Sequence, residues 1–195
     1  MTRQAAAVLR EFRADAASSG GDGPVTLSPE AQSLAGRELL RGLLEQTGWA
    51  KWTGVDHLAG GRPVLRGRQD VGVSISHSGT WVMAGVAREA DIGVDVETVS
   101  AVFDQPALER RACSPGERRS LRGHSRLARR CIMADLWTTK EAVLKARGVG
   151  LLADPRKVSV RGFDSFRVAS ASTGLSASVA VLRRPQSGVS GGSGR

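Results

Sequence analysis

The stretch from Asp91 to Glu97, DIGVDVE, decides the fold because its chemistry alternates from one residue to the next. Its apolar residues recur at period two, which is typical of a half-buried β-strand. They are Ile92, Val94 and Val96. Gly93, Asp95 and Glu97 share the other face, where two ionised carboxylates about 7 Å apart repel by about 2 kcal/mol at an effective dielectric near 20. On a solvated face the pair is harmless, but in a cleft it needs a cation.

Length and composition restrict the class of protein. The chain has 195 residues, enough for one domain or two small packed lobes. No apolar run is close to the length of about 20 residues that spans a bilayer, so no membrane segment is expected. Charged residues interrupt the short apolar run at the N terminus, so no signal peptide is expected. Cys113 and Cys131 are too few for a disulfide framework and lack zinc-ligand spacing. We therefore expect a cytoplasmic protein with reduced cysteines.

The formal net charge of +9 favours an anionic partner, such as nucleic acid, a phosphorylated small molecule or an acidic protein. Arginines crowd the segment from Leu108 to Arg130, with only Glu109 and Glu117 to offset them. Nucleic-acid binding is the weaker interpretation, because this segment carries no aromatic residues on which bases could stack.

Capping signals predict three helical regions. Ser28 and Pro29 start a helix whose apolar stripe continues up to Gly48. Ser114 and Glu117 have capping-box spacing and start a second region. A longer helix is predicted from Ser125 to Arg147, ending before Gly148.

Alternating patterns predict two groups of three strands. The segment from Val71 to Glu97 is interpreted as a three-stranded meander with turns near Ser78-Gly79 and Glu89-Ala90. The stretches KVSVRGF, SFRVASAS and LSASVAVL follow the long helix as three further strands, and residues 185–195 are interpreted as a disordered tail.

The two halves resemble each other, since each has a helix and strands, and SHSGTWVMAGVA is similar to ASTGLSASVAVL. We therefore expect an α+β fold of two similar lobes, each a small antiparallel sheet packed with a long helix. The expected divisions are a partly flexible segment 1–27, a first lobe 28–98, a second lobe 99–184 and the tail.

A second constellation lies on the long helix. Trp137, Glu141 and Lys145 are spaced by four and share one helix face. Taken alone, Glu141 and Lys145 are typical of a surface pair worth a few tenths of a kcal/mol.

The motifs SISHSG, GVDVE and WTTKEAVLKARGVGL, in this order and at these separations, resemble the 4′-phosphopantetheinyl transferases, specifically the larger monomeric class typified by the surfactin-synthetase-activating enzyme. The resemblance extends from about Ser28 to Leu182 and implies a pseudo-twofold arrangement of the lobes with coenzyme A in the cleft. The implied reaction transfers the phosphopantetheine arm of coenzyme A to a serine of an acyl, peptidyl or aryl carrier protein, as in secondary metabolite biosynthesis. Adenosine 3′,5′-bisphosphate is released.

The resemblance implies that Asp95 and Glu97 bind a metal ion. Asp95, Glu97 and Glu141 would ligate Mg²⁺, or Mn²⁺ in its place, and a hard cation of this kind prefers oxygen ligands. Glu141 would also take the proton of the carrier serine, either directly or through a metal-bound water. Asp95, Glu141 and Lys145 are thus the expected catalytic residues.

The same resemblance implies residues that contact coenzyme A. They are Arg37, Arg62, Ser76, His77, Lys140 and Lys145. Arg62 stands where the family has lysine, and a guanidinium can bind phosphate through two hydrogen bonds. Gln32-Ser33 replaces the usual arginine before Ser/Thr, which removes one expected phosphate contact, and Arg37 or Arg41 is the candidate to compensate.

The implied protein partner is an acidic carrier protein, steered by the arginines between the two motifs, with a monomeric enzyme and neither nucleic acid nor membrane involved. Two alternatives remain open from the residues alone. One is a metal-dependent phosphohydrolase of a nucleotide that uses the same carboxylates, and the other is a basic nucleic-acid-binding module.

Overall fold

The structure is a computed structural model that describes residues 4–12, 26–58, 61–149, 153–158, 164–169 and 174–184. Its helices and strands, in chain order, are β1 (Ala5–Glu11), α1 (Pro29–Thr47), β2 (Val55–His57), β3 (Pro63–Leu65), β4 (Val71–Ser78), β5 (Trp81–Arg88), β6 (Ala90–Thr98), α2 (Pro106–Ala112), α3 (Pro115–Ser120), α4 (Arg126–Arg147), β7 (Asp164–Ala169) and β8 (Leu175–Arg183). The predicted tail and most of the predicted strand KVSVRGF lie outside the described residues.

The predicted helix boundaries are confirmed. The Ser28 hydroxyl accepts the backbone N–H of Ala31 at the start of α1, and Gly48 ends that helix with a φ of 67°. Ser114 and Glu117 form the predicted capping box of α3. The short helix α2 was not predicted. Within the described residues, no helix is long and apolar enough to cross a membrane.

The fold class is α+β, as predicted, but the strands form one main sheet in the order β1-β5-β4-β6-β8-β7, with a separate β2-β3 pair. The predicted meander is wrong, because β6 lies beside β4 and runs parallel to it instead of pairing with β5. The reason is that both edges of β5 are already paired, one with β1 and the other with β4. The chain therefore leaves β5 at Glu89, whose φ is 54°, and β6 takes the place beside β4.

The contact between β4 and β6 is unusual for neighbouring strands. Their only backbone pairing joins Val71 to Ala90. Farther along, serine hydroxyls of β4 accept the backbone N–H groups of β6 in place of carbonyl oxygens. A Cβ at Gly72 would overlap the carbonyl oxygen of Ala90, so β6 approaches β4 closely at the start of this seam.

The two long helices cover different strands. The buried stripe of α1 packs on β4 and β5, with Leu40 and Leu44 fully buried among their valines. Helix α4 packs on β6 and β8. Strand β1, within the segment expected to be partly flexible, pairs along its whole length with β5 and was not predicted.

Candidate active site

Helix α4 touches β6 at Gly93, which lies on the carboxylate face of the strand, two residues before Asp95. A Cβ at Gly93 would overlap the carbonyl oxygen of Ala142 and lie 2.5 Å from the backbone nitrogen of Ala146. Only glycine permits this approach. Because Glu141 and Lys145 are the sequence neighbours of these alanines, the contact brings both side chains to the carboxylate face of β6.

Asp95 is the centre of the resulting cluster and is only 4% exposed. Its Oδ1 accepts the ammonium of Lys145 at 2.7 Å and the hydroxyl of Ser76 at 2.9 Å. Lys145 also donates to Ser76 and to the carbonyl oxygen of Val94, at 2.9 and 3.1 Å. Burial raises the pKa of Asp95, and the nearby Lys145 only partly opposes that rise.

Two further carboxylates interact with Asp95. Burial and then the charge of Asp95 raise the pKa of Glu97, whose Oε2 accepts the Ser78 hydroxyl at 2.9 Å. The same two causes, in the same order, raise the pKa of Glu141, while Lys145 and Arg111 oppose the rise. Glu141 is 8% exposed. Glu97 and Glu141 therefore each lie close enough to Asp95 for its charge to raise their pKa values.

These carboxylates do not form a completed metal site. Within the part of the chain that the structure describes, no group of three or more histidine, cysteine, aspartate or glutamate side chains is arranged to hold a metal ion. Two buried oxygens there, Oδ2 of Asp95 and Oε1 of Glu141, nevertheless have no hydrogen-bond partner. Buried polar atoms are normally satisfied, and carboxylate oxygens are preferred ligands of Mg²⁺. The donor set therefore fits a divalent cation.

Lys140 does not join the cluster. Its ammonium is buried and donates to the carbonyl oxygen of Ala112 at 2.7 Å and to Oε2 of Glu117 at 2.6 Å. Glu117 is also the capping-box residue of α3. Lys140 thus ties α4 to the α2–α3 segment, and its geometry does not support the expected contact with a phosphate.

Replacing Lys140 by methionine is expected to lower the free energy of unfolding by about 2 kcal/mol, because Glu117 and the Ala112 carbonyl lose a buried partner. Urea denaturation measures the change. Lys51→Met, at an exposed lysine, is the control and should stay within about 0.5 kcal/mol of the parent. Equal effects of the two substitutions would show that the Lys140 contacts are not stabilising.

The remaining expected coenzyme A ligands are dispersed. Arg62 donates to Asp91, which also binds Arg184 at 2.7 Å. Asp91 and Asp95 are on the same strand, and a rise of about 3.3 Å per residue places them about 13 Å apart. Arg37 is exposed on α1. His77 is close enough for Lys145 and Asp95 to affect its pKa, which is lowered first by burial and then by Lys145.

Sequence reasoning missed several polar residues at the site. Ser78 binds Glu97, and the hydroxyls of β8 bind Thr138 of α4, with Ser176 at 2.9 Å and Ser178 at 3.1 Å. The signal available for Ser78 was its place in SISHSG, two residues after Ser76. The β8 serines lie opposite Glu97 and Asp95 only through strand pairing, which the sequence did not indicate.

Comparison with known proteins identifies the class. Residues 91–186 match the family model of the 4′-phosphopantetheinyl transferase superfamily. That segment contains Asp95, Glu97, Glu141 and Lys145. The chain therefore belongs to this superfamily.

Individual relatives are similar over part of their length. A 4′-phosphopantetheinyl transferase of Bacillus subtilis is 31% identical over 143 residues, which are 69% of this chain and 62% of the relative. The 4′-phosphopantetheinyl transferase HetI of Nostoc sp. is 32% identical over 125 residues, 60% of this chain and 52% of the relative. The enzyme psf-1 of Bacillus pumilus is 31% identical over 91 residues, 47% of this chain. The matches span between 38% and 62% of these relatives.

Proposed function

We propose that this protein transfers the 4′-phosphopantetheine arm of coenzyme A to a serine of an apo carrier protein, with Mg²⁺ as cofactor, and releases adenosine 3′,5′-bisphosphate. The observation that supports this most strongly is the pair of buried, unsatisfied carboxylate oxygens on Asp95 and Glu141, within the segment that matches the superfamily. Such oxygens are costly unless a cation or a proton occupies them for part of the catalytic cycle.

Asp95, Glu97 and Glu141 would hold the cation, with Mn²⁺ as a possible substitute. Bound there, Mg²⁺ would neutralise charge on the coenzyme A diphosphate and polarise the attacked phosphorus. Lys145 would balance the charge of Asp95, which its ammonium already contacts. The ammonium of Lys145 donates hydrogen bonds to Ser76, Val94 and Asp95. One of these hydrogen bonds must break before Lys145 can bind a phosphate.

Glu141 would accept the proton of the carrier serine. Its Oε1 has no hydrogen-bond partner, and its pKa is raised by burial and by Asp95. A raised pKa makes this carboxylate a stronger base than an exposed glutamate, closer to what general base catalysis near neutral pH requires. His77, with its pKa lowered, would be neutral there and donate a hydrogen bond to coenzyme A without adding charge.

We extend the proposal to a pseudo-twofold pair of lobes, residues 28–98 and 99–184, in a cytoplasmic monomer. The single backbone pairing between β4 and β6 supports a division of the sheet into halves of three strands. This seam groups β6 with β8 and β7, so the division in the sheet falls before β6 and not at residue 98. Each half of the sheet also has its own long helix, α1 or α4.

The carrier would dock on an arginine-rich surface of α2, α3 and α4. A cavity of about 470 Å³ is lined there by Glu109, Pro115, Arg118, Arg119, Arg122 and Arg129. Arg129 is paired with Glu109 at 2.6 Å, whereas no described acidic side chain pairs with the other three arginines. An acidic carrier helix complements such a surface.

Reversing charge at Arg122 should therefore slow the reaction through carrier binding. We expect Arg122→Glu to lower kcat/KM for the carrier about tenfold at low salt, with kcat at saturating carrier unchanged. The difference should shrink at 0.5 M salt, because screening weakens long-range attraction. Arg88→Glu makes the same charge change at an exposed position on β5 and should stay within about twofold. Equal losses in both variants would argue against this docking surface.

The reaction itself is tested by incubating the protein with coenzyme A, Mg²⁺ and an apo carrier protein, and weighing the carrier by mass spectrometry. The proposal predicts the mass of one phosphopantetheine arm on the carrier serine, and no gain when EDTA is present. Release of pantetheine phosphate without carrier modification would instead indicate a phosphohydrolase. Metal-independent, salt-sensitive binding to nucleic acid without either product would indicate a binding module.

A further inference from the structure

The serines at alternate positions of β4 replace the backbone ladder between β4 and β6. Ser74 accepts the backbone N–H of Val94 at 3.1 Å, and Ser78 accepts that of Thr98 at 3.0 Å. Ser76 contacts the N–H of Val96 at 3.4 Å. Every second N–H of this part of β6 is thus satisfied by a side chain instead of a carbonyl oxygen.

This arrangement fixes the direction of the hydroxyl protons. At Ser78, a lone pair of Oγ already accepts the N–H of Thr98, so the hydroxyl is left to donate, and Oε2 of Glu97 lies 2.9 Å away. Ser76 receives the N–H of Val96 and the ammonium of Lys145, and its hydroxyl donates to Oδ1 of Asp95. Each serine therefore anchors the β6 backbone at one residue and holds the carboxylate of the preceding residue.

We propose that Ser78 is a positioning residue for the metal-binding carboxylates, holding Glu97 against β4 as Ser76 holds Asp95. The inference rests on the proposed function, because it concerns the carboxylates of that site. Hydrogen bonds to a ligating carboxylate restrict its rotation and orient the oxygen that remains for the metal. Ser78 holds Oε2 of Glu97 from β4, while Trp137 of α4 also donates a side-chain hydrogen bond to this carboxylate.

The chain supplies a matched control at Ser74. Ser74 makes the same backbone contact to β6, but the residue preceding Val94 is Gly93, which has no side chain to hold. Ser74→Ala therefore removes a seam bond alone, whereas Ser78→Ala removes a seam bond and a carboxylate bond. The effect on Glu97 is the difference between the two variants.

The test measures Mn²⁺ binding to the purified full chain, without coenzyme A or carrier, by electron paramagnetic resonance. We expect Ser78→Ala to weaken Mn²⁺ binding about tenfold or more, the range found when outer-shell partners of a metal site are removed. Ser74→Ala should stay within about twofold, and Ser78→Thr, which keeps the hydroxyl, should restore binding. Thermal unfolding of all three variants separates any general loss of stability from the loss of metal.

Crystal structures of the metal-free variants provide a second readout that does not depend on activity. Ser78→Ala should let the Glu97 carboxylate leave its place beside β4, and Ser74→Ala should not. An unmoved Glu97, or equal Mn²⁺ affinity in the Ser78→Ala and Ser74→Ala variants, would overturn the inference even if the parent protein modifies its carrier. Failure of the parent to modify any carrier would count against the proposed function, and the position of Glu97 would still decide the role of Ser78.

Discussion

Asp95→Asn is expected to reduce phosphopantetheine transfer by about 1,000-fold or more without unfolding the protein. The substitution removes the negative charge of a carboxylate that binds the metal, and with it several kcal/mol of transition-state stabilisation. A loss of that size corresponds to a rate change of about 1,000-fold. The asparagine keeps the shape of the side chain and can still accept the Ser76 hydroxyl. Loss of activity therefore reports on charge and ligation and not on packing.

The same variant should be as stable as the parent protein or more stable. Because burial raises the pKa of Asp95, the stability linked to this group is present below its unfolded pKa and is lost as the pH rises through its folded pKa. Ionised Asp95 near neutral pH thus opposes folding, and an amide avoids that cost. We expect the Tm of Asp95→Asn at pH 7 to equal or exceed that of the parent.

Mass spectrometry of the carrier measures the rate, and calorimetry measures Tm. Asp56→Asn is the matched control, since Asp56 is an exposed carboxylate that pairs with Arg66 on the β2–β3 hairpin. Its rate should equal that of the parent. Unchanged transfer by Asp95→Asn would contradict the assigned role of Asp95, and a large fall in its Tm would contradict the view that its charge is destabilising.

Gly93→Ala is expected to have the largest effect on stability. The added Cβ meets backbone atoms of α4 at Ala142 and Ala146, which cannot rotate away as a side chain could. Overpacking of this kind costs about 1–3 kcal/mol when side chains can adjust, and more when backbone must move. We expect a loss of about 3 kcal/mol or more in the free energy of unfolding, together with loss of transfer as Glu141 moves from Asp95.

Gly42→Ala is the control with the opposite expected sign. Gly42 is exposed in α1, and a Cβ there meets no atom within 4 Å. Alanine in a helix interior is favoured over glycine by up to about 1 kcal/mol, so this variant should be slightly more stable. Urea denaturation compares the two. Equal stability of Gly93→Ala and the parent would show that α4 does not touch β6 at this residue.

Local signals accounted for much of the fold. The ends of the two long helices were predictable because helix caps act within a few residues. The caps are Ser28 and Gly48 for α1, and Ser125 and Gly148 for α4. The sequence AAAVLRE of β1 consists mainly of strong helix formers, so nothing local indicated a strand, and its pairing with β5 decides its conformation. The place of β6 beside β4 likewise depends on packing between distant segments.

The site was predictable to a similar extent. Period two placed Asp95 beside Glu97, and period 3.6 placed Glu141 beside Lys145, because both rules act within one element. Ionic partners between elements followed no such rule. Lys140 and Lys145 carry the same charge on the same helix, yet only Lys145 reaches Asp95, whereas Lys140 binds Glu117.

The central claim is that Asp95, Glu97 and Glu141 converge on one divalent cation. Anomalous scattering from crystals soaked with Mn²⁺ and coenzyme A tests it most directly. We expect a single manganese peak contacting carboxylate oxygens of Asp95 and Glu97, with Oε1 of Glu141 turned towards it. Coenzyme A bound with manganese at other groups, or with no manganese beside these carboxylates, would contradict the claim.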